Sequence, residues 1–152
     1  MRGKNNMGWS QIVTWVLVMA GWWLVNRQNN IRENRKEIRT LIDKIQLSLD
    51  EIESQAIQYH TNEQSSEMAF QLKRSLNQKL RNKLDVLKLR KLDIDKCHSS
   101  LKQFRQAVTL ENFDTSNFKP QHISDDLIKK IWLAKDKFSN ELENCFAKKY
   151  QS

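Results

Sequence analysis

Proline occurs once in this 152-residue chain and glycine three times. Tight turns and hairpin connections draw heavily on those two residues, so a fold built from many short strands is excluded. Abundant Leu, Lys, Glu, Gln, Asn and Arg argue instead for helices. Two cysteines, Cys97 and Cys145, are too few for a disulfide framework and fit a reduced, cytosolic setting. The three histidines, His60, His98 and His122, form no i,i+4 or C-x-x-C pattern with those cysteines. Cys97 and His98 are neighbours, so on a helix they point about 100° apart and serve one ion poorly. Gly-rich phosphate loops and a nucleophile elbow are also missing. Neither a metal, a cofactor, a catalytic residue nor an enzymatic activity is expected. Asp125 and Asp126 are better explained by helix capping than by acid–base work.

The one long uncharged run is Gly8 to Val25, GWSQIVTWVLVMAGWWLV. As a helix it measures about 27 Å, close to the ~30 Å hydrocarbon thickness of a bilayer. Trp9 stands near one end and Trp22 and Trp23 near the other, where indoles favour the two interfaces. Ser10, Gln11 and Thr14 make its first half polar for such a segment. A single transmembrane helix over 8–25, after a short tail of residues 1–7, is therefore expected. A buried core helix of a water-soluble fold is one alternative, for which four tryptophans in fifteen residues are an odd choice, and Arg2, Lys4 and Val18-Met19-Ala20 also suit a cleaved leader. However, the bases Arg27, Arg32, Arg35, Lys36 and Arg39 just beyond would oppose export of the downstream chain. The same bases set the orientation, with the body on the cytoplasmic side of a membrane of the bacterial inner-membrane type. Trp9, Trp22, Trp23, Arg27, Arg32, Arg35 and Lys36 are the expected membrane-interface residues. Glu33 and Glu37 interleave with the bases, which favours a plain stop-transfer flank over a lipid-specific site.

Beyond the segment, Ile31, Ile38, Ile45, Ile52 and Tyr59 recur every seven residues, with Ile42, Leu49 and Ala56 as companions. That is a coiled-coil-like seam, widened by Leu41 and Ile57 toward bundle packing. The polar cluster at 61–66 reads as a turn, with Ser65 or Ser66 able to cap a second helix running from Glu67 to about Val108. Its seam is Leu80, Leu87, Ile94, Leu101 and Val108, with Leu76, Cys97 and Phe104. Lys83 and Arg90 disturb it, and a bend near 90–96 is expected. Residues 109–124 hold the only proline, Pro120, and form the clearest loop, which Phe113 and Phe118 should pin. Ser124 and the aspartates after it start a third helix over 125–152, with Leu127, Ile128, Ile131, Trp132, Lys135, Phe138, Leu142, Cys145 and Phe146 mostly on one face. The expected fold is all-α: a transmembrane helix, a long antiparallel hairpin over 26–108, and a C-terminal helix packed on it. The helix–helix interface should hold Ile38, Ile42, Ile45, Leu49, Ile52, Leu80, Leu87, Ile94, Leu101 and Trp132, the last as core before contact site.

The net charge of +8 is concentrated in residues 73–105, with eleven bases against Asp85, Asp93 and Asp95. Acids of the first arm and turn (Asp43, Asp50, Glu51, Glu53, Glu63 and Glu67, with only Lys44 opposing) should face Lys73, Arg74, Lys79, Arg81 and Lys83 across the hairpin, favouring the antiparallel pairing. Lys88, Arg90, Lys91, Lys96, Lys102 and Arg105 remain as a candidate surface for an anionic partner. No aromatic residue lies between Lys73 and Lys102 to stack on bases. Lipid headgroups are thus a nearer partner than nucleic acid, and an ordinary solvated face is nearer still. The function expected is a membrane-anchored interaction protein that recruits a protein partner or self-associates at the cytoplasmic face. The alternatives are a membrane-perturbing effector whose clustered spans leak, and an anion binder acting through 73–105.

Overall fold

The computed structural model describes residues 8–62, 65–113 and 116–150, all of whose regular structure is helical. Outside them lie residues 1–7, with Arg2 and Lys4, on which the expected tail falls, together with 63–64, 114–115 and 151–152. Helix α1 runs Trp9–Thr61, α2 Ser66–Arg74, α3 Leu80–Leu89, α4 Cys97–Thr109 and α5 Asp126–Tyr150. A π-helical turn, Ser75–Lys79, joins α2 to α3 into one arm. The chain divides into two compact units, Met1–Lys36 and Glu37–Ser152.

The second unit is an up-down-up-down four-helix bundle. Pairings across it fix the directions. Glu51 meets Lys79 across the first hairpin at 2.7 Å, Arg105 of α4 donates to the Leu76 carbonyl at 3.2 Å, and Arg39 meets Glu143 of α5 at 2.6 Å. The α1 seam is fully buried from Ile38 through Ile42, Ile45, Leu49, Ile52 and Ala56 to Tyr59. Ile31, expected as its first member, is exposed and belongs to the other unit. Leu80, Leu87, Ile94, Leu101, Val108, Leu76, Cys97 and Phe104 are buried in the same core. Trp132 packs half-buried on its edge. The expected interface residues thus pack against other helices of the same chain, and the seam offers no stripe for a second copy.

The second expected helix is two helices. After Leu89 the chain makes a Schellman turn: the Leu92 amide donates to the Leu87 carbonyl at 3.1 Å and the Lys91 amide to that of Lys88 at 2.8 Å. Lys91 takes the left-handed conformation, φ 59°, that such a turn usually gives to glycine. Leu92 and Ile94 are buried inside the corner, and α4 then runs back along the bundle. The Lys149 ammonium of α5 donates to the carbonyls of Arg90 and Lys91 at 3.0 and 2.8 Å, capping the end of α3.

Side-chain chemistry marks the start of α2, whereas α3 and α4 begin without a side-chain cap. Ser65 caps α2, accepting from the Met68 amide at 3.3 Å. At α5 the residue at the helix entrance is Asp125 rather than Ser124. Its carboxylate accepts from the His122 amide at 2.7 Å and its carbonyl from the Lys129 amide at 3.2 Å. Between α4 and α5 the connection folds over the end of α1. Asn112 clasps Lys119 by two hydrogen bonds, Gln121 donates to the His60 carbonyl at 2.7 Å, and Phe113 and Phe118 sit 4.9 and 5.4 Å from the Tyr59 ring.

Candidate functional site

In the first unit the outstanding feature is apolar surface. Twelve large apolar side chains between Trp9 and Val25 are exposed, from 42% at Ile12 to 84% at Trp9. Trp15 to Met19 are five in succession, so at 100° per residue they point to every side of the helix. Burying each such side chain is worth about 1.5–3 kcal/mol. Leaving twelve in water forfeits on the order of 20 kcal/mol, more than the roughly 5–15 kcal/mol by which a whole domain is stable. Thr14 satisfies its hydroxyl within the helix, on the Ser10 carbonyl at 2.8 Å. Trp22 and Trp23 are exposed, and the Arg27 guanidinium lies 5.4 Å over the Trp23 ring. Arg32, Arg35 and Lys36 are also exposed.

No helix among the described residues is long and apolar enough to cross a membrane. The expectation of a transmembrane helix over 8–25 is corrected to that extent. Helix α1 is long, but Ser10, Gln11 and Thr14 dilute the apolar run at one end, and Asn26 and Arg27 stop it at the other.

In the second unit the six expected anion-binding residues do not form one surface. Arg90 pairs with Glu37 at 2.8 Å, and Lys88 lies 4.0 Å from Asp95. Arg105 turns inward onto the Leu76 carbonyl, which the π-helical turn presents, and its Nε is buried without an acceptor. Lys102 lies on the exposed side of α4. Only Lys91 and Lys96 come together, around a cavity of about 210 Å³ that Asp93, Cys145, Lys148 and Lys149 also line. Lys148 and Lys149 were missed as site residues because sequence order hides that the end of α5 returns to the α3–α4 corner. Burial pushes the Lys149 ammonium below its ordinary range, and nearby Lys91 adds to the effect.

Other charges tie the bundle together. Of the first-arm acids, Glu51 pairs across the hairpin, whereas Asp50 and Glu53 both take Lys135 of α5 at 2.5 Å. Burial alone would lower the Lys135 pKa, and the two carboxylates overcome it and raise it. Lys83, placed where the seam wants an apolar group, donates to the Lys44 carbonyl at 2.9 Å and to the Ser48 hydroxyl. Among the described residues no group of three or more His, Cys, Asp or Glu is arranged to hold a metal ion. No family model matches the chain, and no curated protein or solved structure matches it.

Proposed function

We propose that this is a membrane-anchored helical protein that acts by binding: residues 9–25 insert into a bilayer, and the four-helix body recruits or positions a protein partner on the cytoplasmic side. The observation that carries the reading is the uncovered apolar surface on every side of Trp9–Val25. A helix apolar all round requires apolar surroundings. A helix lying in the interface would need a polar face, which Trp15 to Met19 do not leave. Mean hydropathy counts indole as mildly polar, and four tryptophans lower the average here, yet indole is the side chain most at home at a membrane interface. Arg27, Arg32, Arg35 and Lys36 supply the flank that holds the body on the more basic side.

The test uses the full-length chain carrying Trp132→Phe, so that the remaining tryptophans all report on the segment. Mixed with phosphatidylglycerol-containing vesicles, it should float with the lipid and its emission should shift to the blue. Protein that stays in the high-speed supernatant, with unshifted emission, would sink the reading. Leakage of an entrapped dye at protein levels that only saturate binding would move it to a membrane-perturbing effector.

A further inference from the structure

The chain's two cysteines are 48 residues apart, one opening α4 and one late in α5, and their sulfurs lie 3.4 Å from each other. Both are free thiols. A disulfide needs a separation of about 2.05 Å, so closure asks for an approach of only about 1.4 Å. The two differ in access: Cys97 is 2% exposed, whereas Cys145 is partly exposed and lines the cavity that Lys91, Lys96, Lys148 and Lys149 surround. Four ammonium groups against the one carboxylate of Asp93 favour an anionic visitor there.

We propose that Cys145 and Cys97 are the attacking and resolving thiols of a dithiol–disulfide pair, oxidised by a small anionic disulfide of the glutathione type received in the lysine-lined cavity. Cys145 gives its proton to solvent, and its thiolate attacks one sulfur of the small disulfide. That S–S bond breaks, one small thiolate leaves and takes a proton, and a mixed disulfide remains on Cys145. Cys97 then loses its proton and attacks the Cys145 sulfur, expelling the second small thiol. Two protein thiols are oxidised and one small disulfide is reduced to two thiols, so electrons and protons balance. Burial pushes the Cys97 thiol up, with Cys145 and the carboxylates of Glu141 and Asp93 adding to it, which suits Cys97 to the resolving role and not to the first attack. In a reducing compartment the pair rests as thiols and oxidises only transiently. The bond ties the start of α4 to the end of α5. This proposal is independent of membrane insertion.

The experiment incubates full-length protein in detergent with oxidised glutathione and follows it by mass spectrometry. The wild type should end as the internal disulfide without an adduct, with its melting midpoint raised by roughly 10 °C, and excess reduced glutathione should reverse both. Cys97→Ser should stop at a glutathione adduct on Cys145, and Cys145→Ser should stay unmodified. Lys96→Glu with Lys148→Glu should slow the first step roughly tenfold while leaving reaction with an uncharged disulfide unchanged. A wild type that keeps two alkylatable thiols, or a Cys145→Ser variant that gains an adduct as fast as Cys97→Ser, overturns the pair. A rate untouched by the two lysine reversals overturns the role of the cavity.

Discussion

Two stretches of one helix, Trp9–Val25 and Ile38–Tyr59, are both rich in large apolar residues, yet only the second is covered by protein. In the second, apolar residues return every three or four positions and all seven of the seam are 0% exposed, from Ile38 to Tyr59. In the first they occupy every side, and each large one is exposed. A stripe can be covered by neighbouring helices, as happens here with α2, α3, α4 and α5. An all-round apolar surface needs a medium instead. The arrangement of apolar residues, more than their number, tells what covers them.

The strongest way to break that contrast is to charge the first stretch. Val16→Arg with Leu17→Arg puts two guanidinium groups mid-segment, at about 2.5–3.5 kcal/mol each for a membrane helix. Vesicle partitioning should fall by roughly a thousandfold or more. The thermal midpoint of the body should stay where it was, because Val16 and Leu17 are exposed and lie outside its core. A large drop in that midpoint would show the segment packing as protein core, and the contrast would fail.

Ile52→Ala is the converse. It empties a fully buried position in the seam and should cost about 2–5 kcal/mol in denaturant titration. Vesicle partitioning should not change. Weakened partitioning in this variant would mean that insertion needs the intact body.

Lys91→Gly sharpens the picture of the body without touching its core. Lysine at φ 59° carries a steric cost that glycine avoids, about 1 kcal/mol or a little more. The variant should therefore be more stable by about that amount, less the extra backbone entropy of glycine in the unfolded chain. A loss of stability would mean that the Lys91 side chain contributes more at the corner than its backbone strain costs.

That corner falls at the bend expected near 90–96, but the sequence did not announce that the chain reverses there. Leu87, Ile94 and Leu101 keep seven-residue spacing straight through it, because the connection between α3 and α4 is itself seven residues long. The periodicity of one helix thus survived in two, and neither glycine nor proline marked the stop. Lys83 and Arg90, which looked like errors in a seam, mark instead where charged groups find partners at its edges: the Lys44 carbonyl and Glu37. Lys135, an odd member of the apolar face of α5, sits between Asp50 and Glu53, a partnership no local pattern announces. The core was legible because burial follows periodicity. The cavity of lysines was not, because it joins residues 91–96 to 145–149, and only the return of α5 brings them together.

The smallest expected effect probes how tightly the far end of the body is sealed. His60 is fully buried beneath Phe113, beside Tyr59, with its Nε2 3.0 Å from the Val108 carbonyl. Burial pushes its pKa below the ordinary value of 6.5, against the opposite pull of the Val108 and Asn112 carbonyls. The folded state therefore refuses a proton that the unfolded chain accepts. Above pH 6.5 neither state is protonated there, and the contribution to stability is whole. As pH falls through 6.5 the unfolded state gains the proton first, and stability is lost until the lower folded value is reached. Between pH 7 and pH 5 the melting midpoint of the wild type should drop by a few degrees more than that of His60→Gln, which keeps a donor for Val108 but does not titrate. Equal slopes in the two proteins would mean that the strap of Phe113, Phe118 and Gln121 opens readily enough to hydrate the imidazole.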